Sequence, residues 1–169
     1  MEMDKKLQDA INEQIKNEIY SGYMYLSMAA YFEDDNLPGF AHWMKLQAKE
    51  EYEHAERFMN HLFDRGVKVI LQTIDQPPIE FNSPTDIFEK TLAHEQLVTS
   101  MIENLCDIAA ETKDRAASIM LQWFITEQVE EEKSASEILE NLRRTKEKGA
   151  SMMMLDRKLG DRKEEEDED

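Results

Sequence analysis

Apolar residues recur every three or four positions along most of the chain, and this spacing predicts helices rather than strands. Long periodic stretches cover residues 4–35, 38–65, 85–112 and 114–146, and a short stretch covers residues 151–159. The breaks between them are rich in Gly, Pro, Asn and Asp, which favour turns. The pattern therefore predicts an all-α fold with four long helices and a short C-terminal fifth helix.

Residues at the breaks indicate where three of these helices begin. Pro38 falls in the first turn of the second helix, where its missing N–H is of no consequence. Thr85 and Asp86 are expected to cap the third helix, and Asp114 is expected to cap the fourth.

The lengths of the connections predict the topology. Only a few residues join the first helix to the second and the third to the fourth, so each pair should form an antiparallel hairpin. The connection over residues 66–84 is 19 residues long. At roughly 3.3 Å per residue it can run back along a helix of roughly 40 Å. We therefore expect two antiparallel hairpins joined by one long crossover.

Acidic side chains interrupt the apolar stripe of every long helix. Glu18, Glu51, Glu95 and Glu131 each take a stripe position near the middle of a helix. Mid-height is the same level whichever way a helix runs, so the four carboxylates should meet in one layer of the bundle. Burying a carboxylate costs several kcal/mol, and a bound cation is the usual solution.

A histidine on the same face as Glu51 indicates the kind of cation. His54 follows Glu51 by three residues, which places both side chains on one side of the helix. Oxygen donors with one imidazole and no thiolate suit iron, manganese or zinc. Two sites that share a bridging carboxylate such as Glu51 could hold a pair of irons and pass two electrons to dioxygen. Tyr25 shares the face of Glu18 and is either a core tyrosine or a phenol that acts beside the metals.

Composition narrows the class of protein. The 37 acidic residues outnumber the 20 basic ones and give a formal net charge of -17, so general nucleic-acid binding is not expected. The single cysteine, Cys106, excludes an internal disulfide and a cysteine-rich metal site. The start of the chain has no apolar signal segment, and the longest uncharged run, residues 19–32, is too short to span a bilayer. We expect a soluble, cytoplasmic protein with no membrane partner.

Several short motifs occur in order along the chain, namely NEIYS at 17–21, YMYLSM at 23–28, GFAHW at 39–43, EEYEHA at 50–55, PP at 77–78, HE at 94–95, WF at 123–124 and EQVEE at 127–131. Taken together, they resemble the non-haem ferritins of bacteria and archaea over residues 4–160. The resemblance implies a ferritin-like four-helix bundle with a domain over residues 1–160, followed by an acidic tail, residues 161–169, that we expect to be disordered.

The resemblance also implies a di-iron ferroxidase centre in each subunit, with Tyr25 beside it as a candidate catalytic residue. The implied ligands are Glu18, Glu51 and His54 for the first iron; Glu51, Glu95, Gln128 and Glu131 around the second; and Glu50, Glu127 and Glu130 for a third.

Not every acidic residue of the run at 127–132 can face the centre, because the run wraps around the helix. We expect Glu132 to be an ordinary solvated residue.

The resemblance further implies a homo-oligomer of 24 subunits that forms a hollow shell, takes ferrous iron with dioxygen or peroxide as substrates, and stores ferric oxide. The short last helix would line the fourfold axes, which places residues 152–154, three methionines, at a subunit contact. Haem is not expected, because Tyr52 stands where bacterioferritin has its haem-ligand methionine. Two alternatives stay open: a di-iron peroxidase that stores little iron, and a helical scaffold whose carboxylates are protonated and bind no metal.

Overall fold

A computed structural model describes residues 2–164 and shows five helices and no strand in that range. Within the same residues, no helix is long and apolar enough to cross a membrane. The all-α fold with four long helices and a short fifth is confirmed. The helices are α1 (Lys5–Asp34), α2 (Pro38–Asp64), α3 (Pro84–Glu111), α4 (Arg115–Thr145) and α5 (Gly149–Gly160).

The expected helix starts agree with the structure in two cases and differ in a third. Pro38 is the first residue of α2, and Asp114 caps α4 by accepting a hydrogen bond from the amide of Ala117 at 3.0 Å. The prediction for α3 was wrong, because Ser83 is the cap and accepts from the amide of Asp86 at 3.0 Å. Pro84 is then the first helical residue, a position that suits its fixed φ.

Gly66 ends α2 and turns the chain into the crossover. Its φ of 65° lies in the left-handed region, which glycine adopts without strain. The amide of Gly66 donates to the carbonyl of Phe63 at 3.0 Å, and that of Val67 donates to the carbonyl of Leu62 at 2.9 Å. These two bonds satisfy carbonyls that the last turn of α2 leaves without partners.

The crossover between α2 and α3 runs beside α1. The side chain of Asn12 accepts from the amide of Ile70 at 2.7 Å and donates to the carbonyl of Lys68 at 3.2 Å. Farther along α1, the hydroxyl of Ser27 donates to the carbonyl of Pro78 at 2.6 Å. The segment therefore follows α1 toward its C-terminal end and starts α3 beside the start of α2. Two hairpins, α1–α2 and α3–α4, are thus joined by one long crossover, as the sequence predicts.

The short helix α5 docks on the start of α2. The carboxylate of Asp156 accepts from the amides of Gly39 at 2.9 Å and Phe40 at 3.0 Å, and so supplies the cap that Leu37 cannot. Gly39 is required there, because a Cβ on it would lie 1.7 Å from the carbonyl oxygen of Asp156. Helix α5 begins at Gly149, two residues earlier than predicted.

The buried interior consists of two apolar clusters separated by a polar layer. One cluster lies toward α5 and includes Phe32, Phe40 and Phe88. The other lies toward the opposite end of the bundle and includes Ile11 and Phe124. Between them each long helix contributes buried polar residues, which are Glu18 from α1, Gln47, Glu51 and His54 from α2, Glu95 from α3, and Gln128 and Glu131 from α4.

Candidate metal centre

Four carboxylates from four helices lie in the middle layer of the bundle. Glu18, Glu51, Glu95 and Glu131 are each no more than 6% exposed to solvent. The sequence places each of them near the middle of a helix, and the structure brings them to one level. The layer therefore concentrates negative charge in a region with little water, which is costly unless protons or cations compensate it.

Glu18, Glu51 and His54 form one group of potential ligands. One donor atom of each lies within 4.8 Å of the others. The Nδ1 atom of His54 is 3.4 Å from Oε2 of Glu51. Oε1 of Glu18 accepts from Gln14 at 2.8 Å, whereas Oε2 of Glu18 is buried and has no hydrogen-bond partner. A buried carboxylate oxygen without a donor is destabilising, and a cation between these three side chains would satisfy it.

A second group lies on the other nitrogen of the same imidazole. Donor atoms of His54, Glu127 and Glu131 also lie within 4.8 Å of one another, and Nε2 of His54 is 3.8 Å from the carboxylate of Glu127. Oε2 of Glu131 accepts from Gln47 at 2.7 Å, and Oε1 of Glu131 is buried with no hydrogen-bond partner. Each group thus contains one oxygen that lacks a donor, and the two groups meet at His54.

Tyr25 and Gln128 hold the carboxylate of Glu95 from both sides. The hydroxyl of Tyr25, which is fully buried, donates to Oε1 of Glu95. The amide of Gln128 donates to Oε2 of Glu95 at 3.2 Å and to its backbone carbonyl at 3.2 Å. Burial raises the pKa of Tyr25 well above its ordinary value, and Glu95 adds to the shift. The phenol therefore stays protonated and keeps Glu95 oriented.

The carboxylates of the layer hold protons more tightly than exposed ones. Burial raises the pKa of Glu51 and of Glu131 well above the ordinary value, and the charge of Glu95 adds to both shifts. Burial also raises the pKa of Glu95 to about 7, although its hydrogen bonds from Tyr25 and Gln128 oppose the shift. A cation that binds here must therefore displace protons.

Some residues of the predicted site lie at its edge. Glu50 accepts from the guanidinium of Arg162 at 2.6 Å, and Glu130 is exposed to solvent. The expectation for Glu132 was wrong, because its carboxylate is half-buried and accepts from the hydroxyl of Thr99 at 2.6 Å. Two residues turn a helix by about 200°, so Glu130 and Glu132 lie on nearly opposite sides of α4, and Glu130 is the one that faces solvent.

Sequence reasoning identified Gln128 but missed two other side-chain amides that support the carboxylates, those of Gln14 and Gln47. Gln47 donates to Glu131 at 2.7 Å and to Glu51 at 3.3 Å, and Gln14 donates to Glu18. Both precede a layer glutamate by four residues, which is one helical turn. That spacing, together with the stripe position of Gln47, was the available signal.

The donor set fits a hard or borderline divalent cation. It consists of carboxylate oxygens with one imidazole and contains no thiolate, which suits iron, manganese or zinc. The two ligand groups share His54, and Glu51 belongs to one of them and Glu131 to the other. A four-helix bundle whose facing helices project carboxylates and a Glu-x-x-His pair inward is typical of the ferritin-like carboxylate proteins.

Known proteins agree with that class. The chain matches the family described as "Ferritin-like domain" over residues 8–145. It is 41% identical over 160 residues to a bacterial non-heme ferritin of Bacteroides fragilis (strain 638R), an alignment that covers 95% of this chain and 99% of the relative. A bacterial non-heme ferritin of Staphylococcus saprophyticus is 37% identical over 166 residues, covering 98% of this chain and 99% of the relative.

Solved structures give the same result. A novel open pore ferritin from the hyperthermophilic archaeon Archaeoglobus fulgidus matches with a TM-score of 0.94 and 42% identity, over 95% of this chain and 98% of that one. A form of the same ferritin engineered to be closed matches with a TM-score of 0.93 and 43% identity, also over 95% and 98%. The chain belongs to the ferritin family, and the resemblance stated from the motifs is confirmed.

Proposed function

We propose that the chain is an iron-storage ferritin that oxidises ferrous iron in the carboxylate layer and retains the ferric product inside a hollow homo-oligomer. The observation that carries the proposal is the pair of buried oxygens without donors, Oε2 of Glu18 and Oε1 of Glu131. One lies in each of the two ligand groups that meet at His54. Two cations per subunit would satisfy both.

In this proposal the first ferrous ion binds Glu18, Glu51 and His54. The second binds Glu95 and Glu131, with Glu51 as the bridging carboxylate and Gln128 beside it. Support for the second position is that Oε1 of Glu131 is buried with no hydrogen-bond partner and that Gln128 donates to Oε2 of Glu95 at 3.2 Å. A third, weaker position involves Glu127, with Glu50 and Glu130 at its outer edge.

Iron is a substrate in this reaction, and the chain provides the positions of the ions and the path of the protons. Two ferrous ions each give up one electron, and the pair of electrons reduces one dioxygen, with two protons, to peroxide. The carboxyl groups of Glu51, Glu95 and Glu131 release protons when ions bind, because burial favours their protonated forms without metal. Tyr25 keeps one oxygen of Glu95 fixed by its hydrogen bond.

Apolar side chains at the surface of the single chain support assembly. Leu71 and Ile79 of the crossover are 68% and 69% exposed, and Met153 and Met154 of α5 are 60% and 70% exposed. Such side chains are typical of surfaces that other subunits cover. We place Met153 and Met154 at a subunit contact of a shell of 24 subunits located in the cytoplasm, whereas Met152 belongs to the core of its own chain.

The experiment combines particle mass with an anaerobic titration. The particle mass of chelator-treated protein is measured by light scattering. The protein is then titrated with Fe²⁺ in the absence of oxygen, and dioxygen is added afterwards. We expect a particle of about 24 subunits, at least two tight ions per subunit, fast oxidation, and ferric iron that stays with the particle. Saturation at one ion or fewer would contradict the proposal. Turnover of peroxide without retained iron would favour the peroxidase alternative.

A further inference from the structure

The first residues after α5 bring a cation to the edge of the carboxylate layer. The guanidinium of Arg162 donates to Oε2 of Glu50 at 2.6 Å, to Oε1 of Gln47 at 3.0 Å and to the carbonyl of Trp43 at 3.2 Å. It also lies 4.5 Å from the centre of the Trp43 ring. Arg162 and Glu50 are largely buried, with side chains 19% and 13% exposed.

The position of Arg162 is fixed by the fold rather than by chance contact. Asp156 of α5 binds the amides at the start of α2, six residues before Arg162. The imidazole of His42 then forms a hydrogen bond of 2.8 Å with the carbonyl of Arg162 itself. The segment is therefore held to α2 by hydrogen bonds both before the arginine and at its carbonyl. The guanidinium binds residues of the same helix.

Glu50 stands between this arginine and the candidate centre. It lines a cleft of about 490 Å³ between α2 and α4, together with His54 and Glu127. Its charge is close enough to Glu131 to contribute to the raised pKa of that residue. The guanidinium of Arg162, which can only donate, binds Gln47 at its oxygen, so the amide hydrogens of Gln47 remain directed at Glu51 and Glu131.

We propose that Arg162 is a tethered cation that competes with a third ion for the carboxylate of Glu50. The inference rests on the proposed function, because it concerns ions that bind beside the two at the centre. Arg162 is a positioning residue in this account. It lowers the affinity of the outer position and leaves the inner two occupied first.

Linkage gives the proposal a second, independent consequence. If the arginine and the ion compete for Glu50, the contact of Arg162 lowers the affinity for the ion. Binding of the ion must then weaken the contact of Arg162 by the same free energy. The effect can be read in the wild-type chain without any substitution. Arg157, which is exposed on α5, is an internal reference for arginine reactivity in the same segment.

The first test measures binding of Co²⁺, a probe that does not need oxidation, to assembled and chelator-treated protein. We expect Arg162→Gln to tighten the third ion about tenfold, the change that follows from removing one charge-assisted hydrogen-bonded pair. The first two affinities should change less than about threefold by the same reasoning. Lys163→Gln, an exposed neighbour with the same loss of charge, is the matched control and should change none of the three. In a Glu50→Gln background, Arg162→Gln should have no further effect.

The second test labels wild-type protein with phenylglyoxal and reads Arg162 and Arg157 by peptide mass spectrometry. We expect Arg162 to become more reactive as the third Co²⁺ binds, while Arg157 does not change. This arm decides the matter if Arg162→Gln fails to assemble. If two ions bind tightly but the affinity for the third does not change in Arg162→Gln, or the labelling of Arg162 does not change as the third ion binds, this inference is overturned and the proposed function stands. Absence of two tight ions in wild type would instead overturn the proposed function.

Discussion

The carboxylate layer and the aromatic cluster beside it are equally buried but are built on opposite principles. In the cluster, the rings of Phe32 and Phe40 stack at 4.9 Å between centroids, and Phe88 lies 5.9 Å from Phe40 and 5.4 Å from Trp43. The three phenylalanine rings carry no polar atom that needs a partner, and each ring adds apolar burial to the folded state.

In the layer, acceptors outnumber donors. Gln47 serves both Glu51 and Glu131, and two carboxylate oxygens of the layer have no donor. Burial of this kind opposes folding unless protons or cations are present. The difference between the two regions indicates that the aromatic cluster stabilises the bundle by itself, whereas the layer does so only when protons or cations compensate its charge.

The largest effect should come from the aromatic cluster. Phe40→Ala removes a fully buried ring from between Phe32 and Phe88 and should lower the free energy of unfolding by about 3–5 kcal/mol. Two tight Co²⁺ ions should still bind, because no ligand is touched. Denaturant unfolding at fixed protein concentration measures the change, with Phe63→Ala, a 60% exposed ring, as the control. A loss of stability no greater than that of the control would contradict the claim that the aromatic cluster stabilises the bundle.

The next effect concerns the pH dependence of the metal-free protein. Glu95 has a pKa of about 7 in the folded protein, above its ordinary 4.5. Between these two pH values the folded state therefore holds more protons than the unfolded chain. Its contribution to stability is therefore complete below about pH 4.5 and is lost as the pH rises through 7. We expect the free energy of unfolding to fall by about 2 kcal/mol between about pH 5 and pH 8.

The ion pair at the far end of the bundle has the opposite effect on the pH dependence of the free energy of unfolding. Arg65 lies 2.9 Å from Asp114 and holds the pKa of that carboxyl below its ordinary 3.8, so this contribution is lost only as the pH falls below that value. Unfolding curves over the pH range test both signs. Metal-free protein that gains stability from pH 5 to pH 8 would show that the layer is not strained by its charges.

The fold and the carboxylates of the layer could be predicted from local pattern. Helical periodicity located the long helices, and connection lengths gave the crossover. Glu18, Glu51, Glu95 and Glu131 were visible because each breaks an apolar stripe at mid-helix, a feature that depends only on residues close in sequence. Their role as ligands stays a prediction.

The rest depends on contacts between residues far apart in the chain. Arg162 and Glu50 are separated by 112 positions, and their pairing requires the docking of α5 on α2, which no periodicity encodes. The exposed fraction of Glu132 was misjudged for a related reason, since its partner Thr99 belongs to a different helix. Helical spacing gives the direction of a side chain on its own helix, whereas partners across helices are set by packing.

The smallest expected change in metal-free stability is also the most direct test of the account. Glu51→Gln combined with Glu131→Gln keeps the shape of both side chains and removes two charges from the layer. Glu103→Gln with Glu137→Gln, both exposed, removes the same charge from the surface of α3 and α4 and serves as the control.

All three proteins are stripped with chelator and melted at one pH and one protein concentration, with and without Zn²⁺. We predict that the layer variant melts no lower than wild type without metal. We also predict that Zn²⁺ stabilises wild type and the control by about 2.7 kcal/mol per site at one hundred times the dissociation constant, but not the variant. A metal-free variant that melts well below wild type, with no difference in the response to Zn²⁺, would show that the carboxylates form a structural network and would contradict the metal centre.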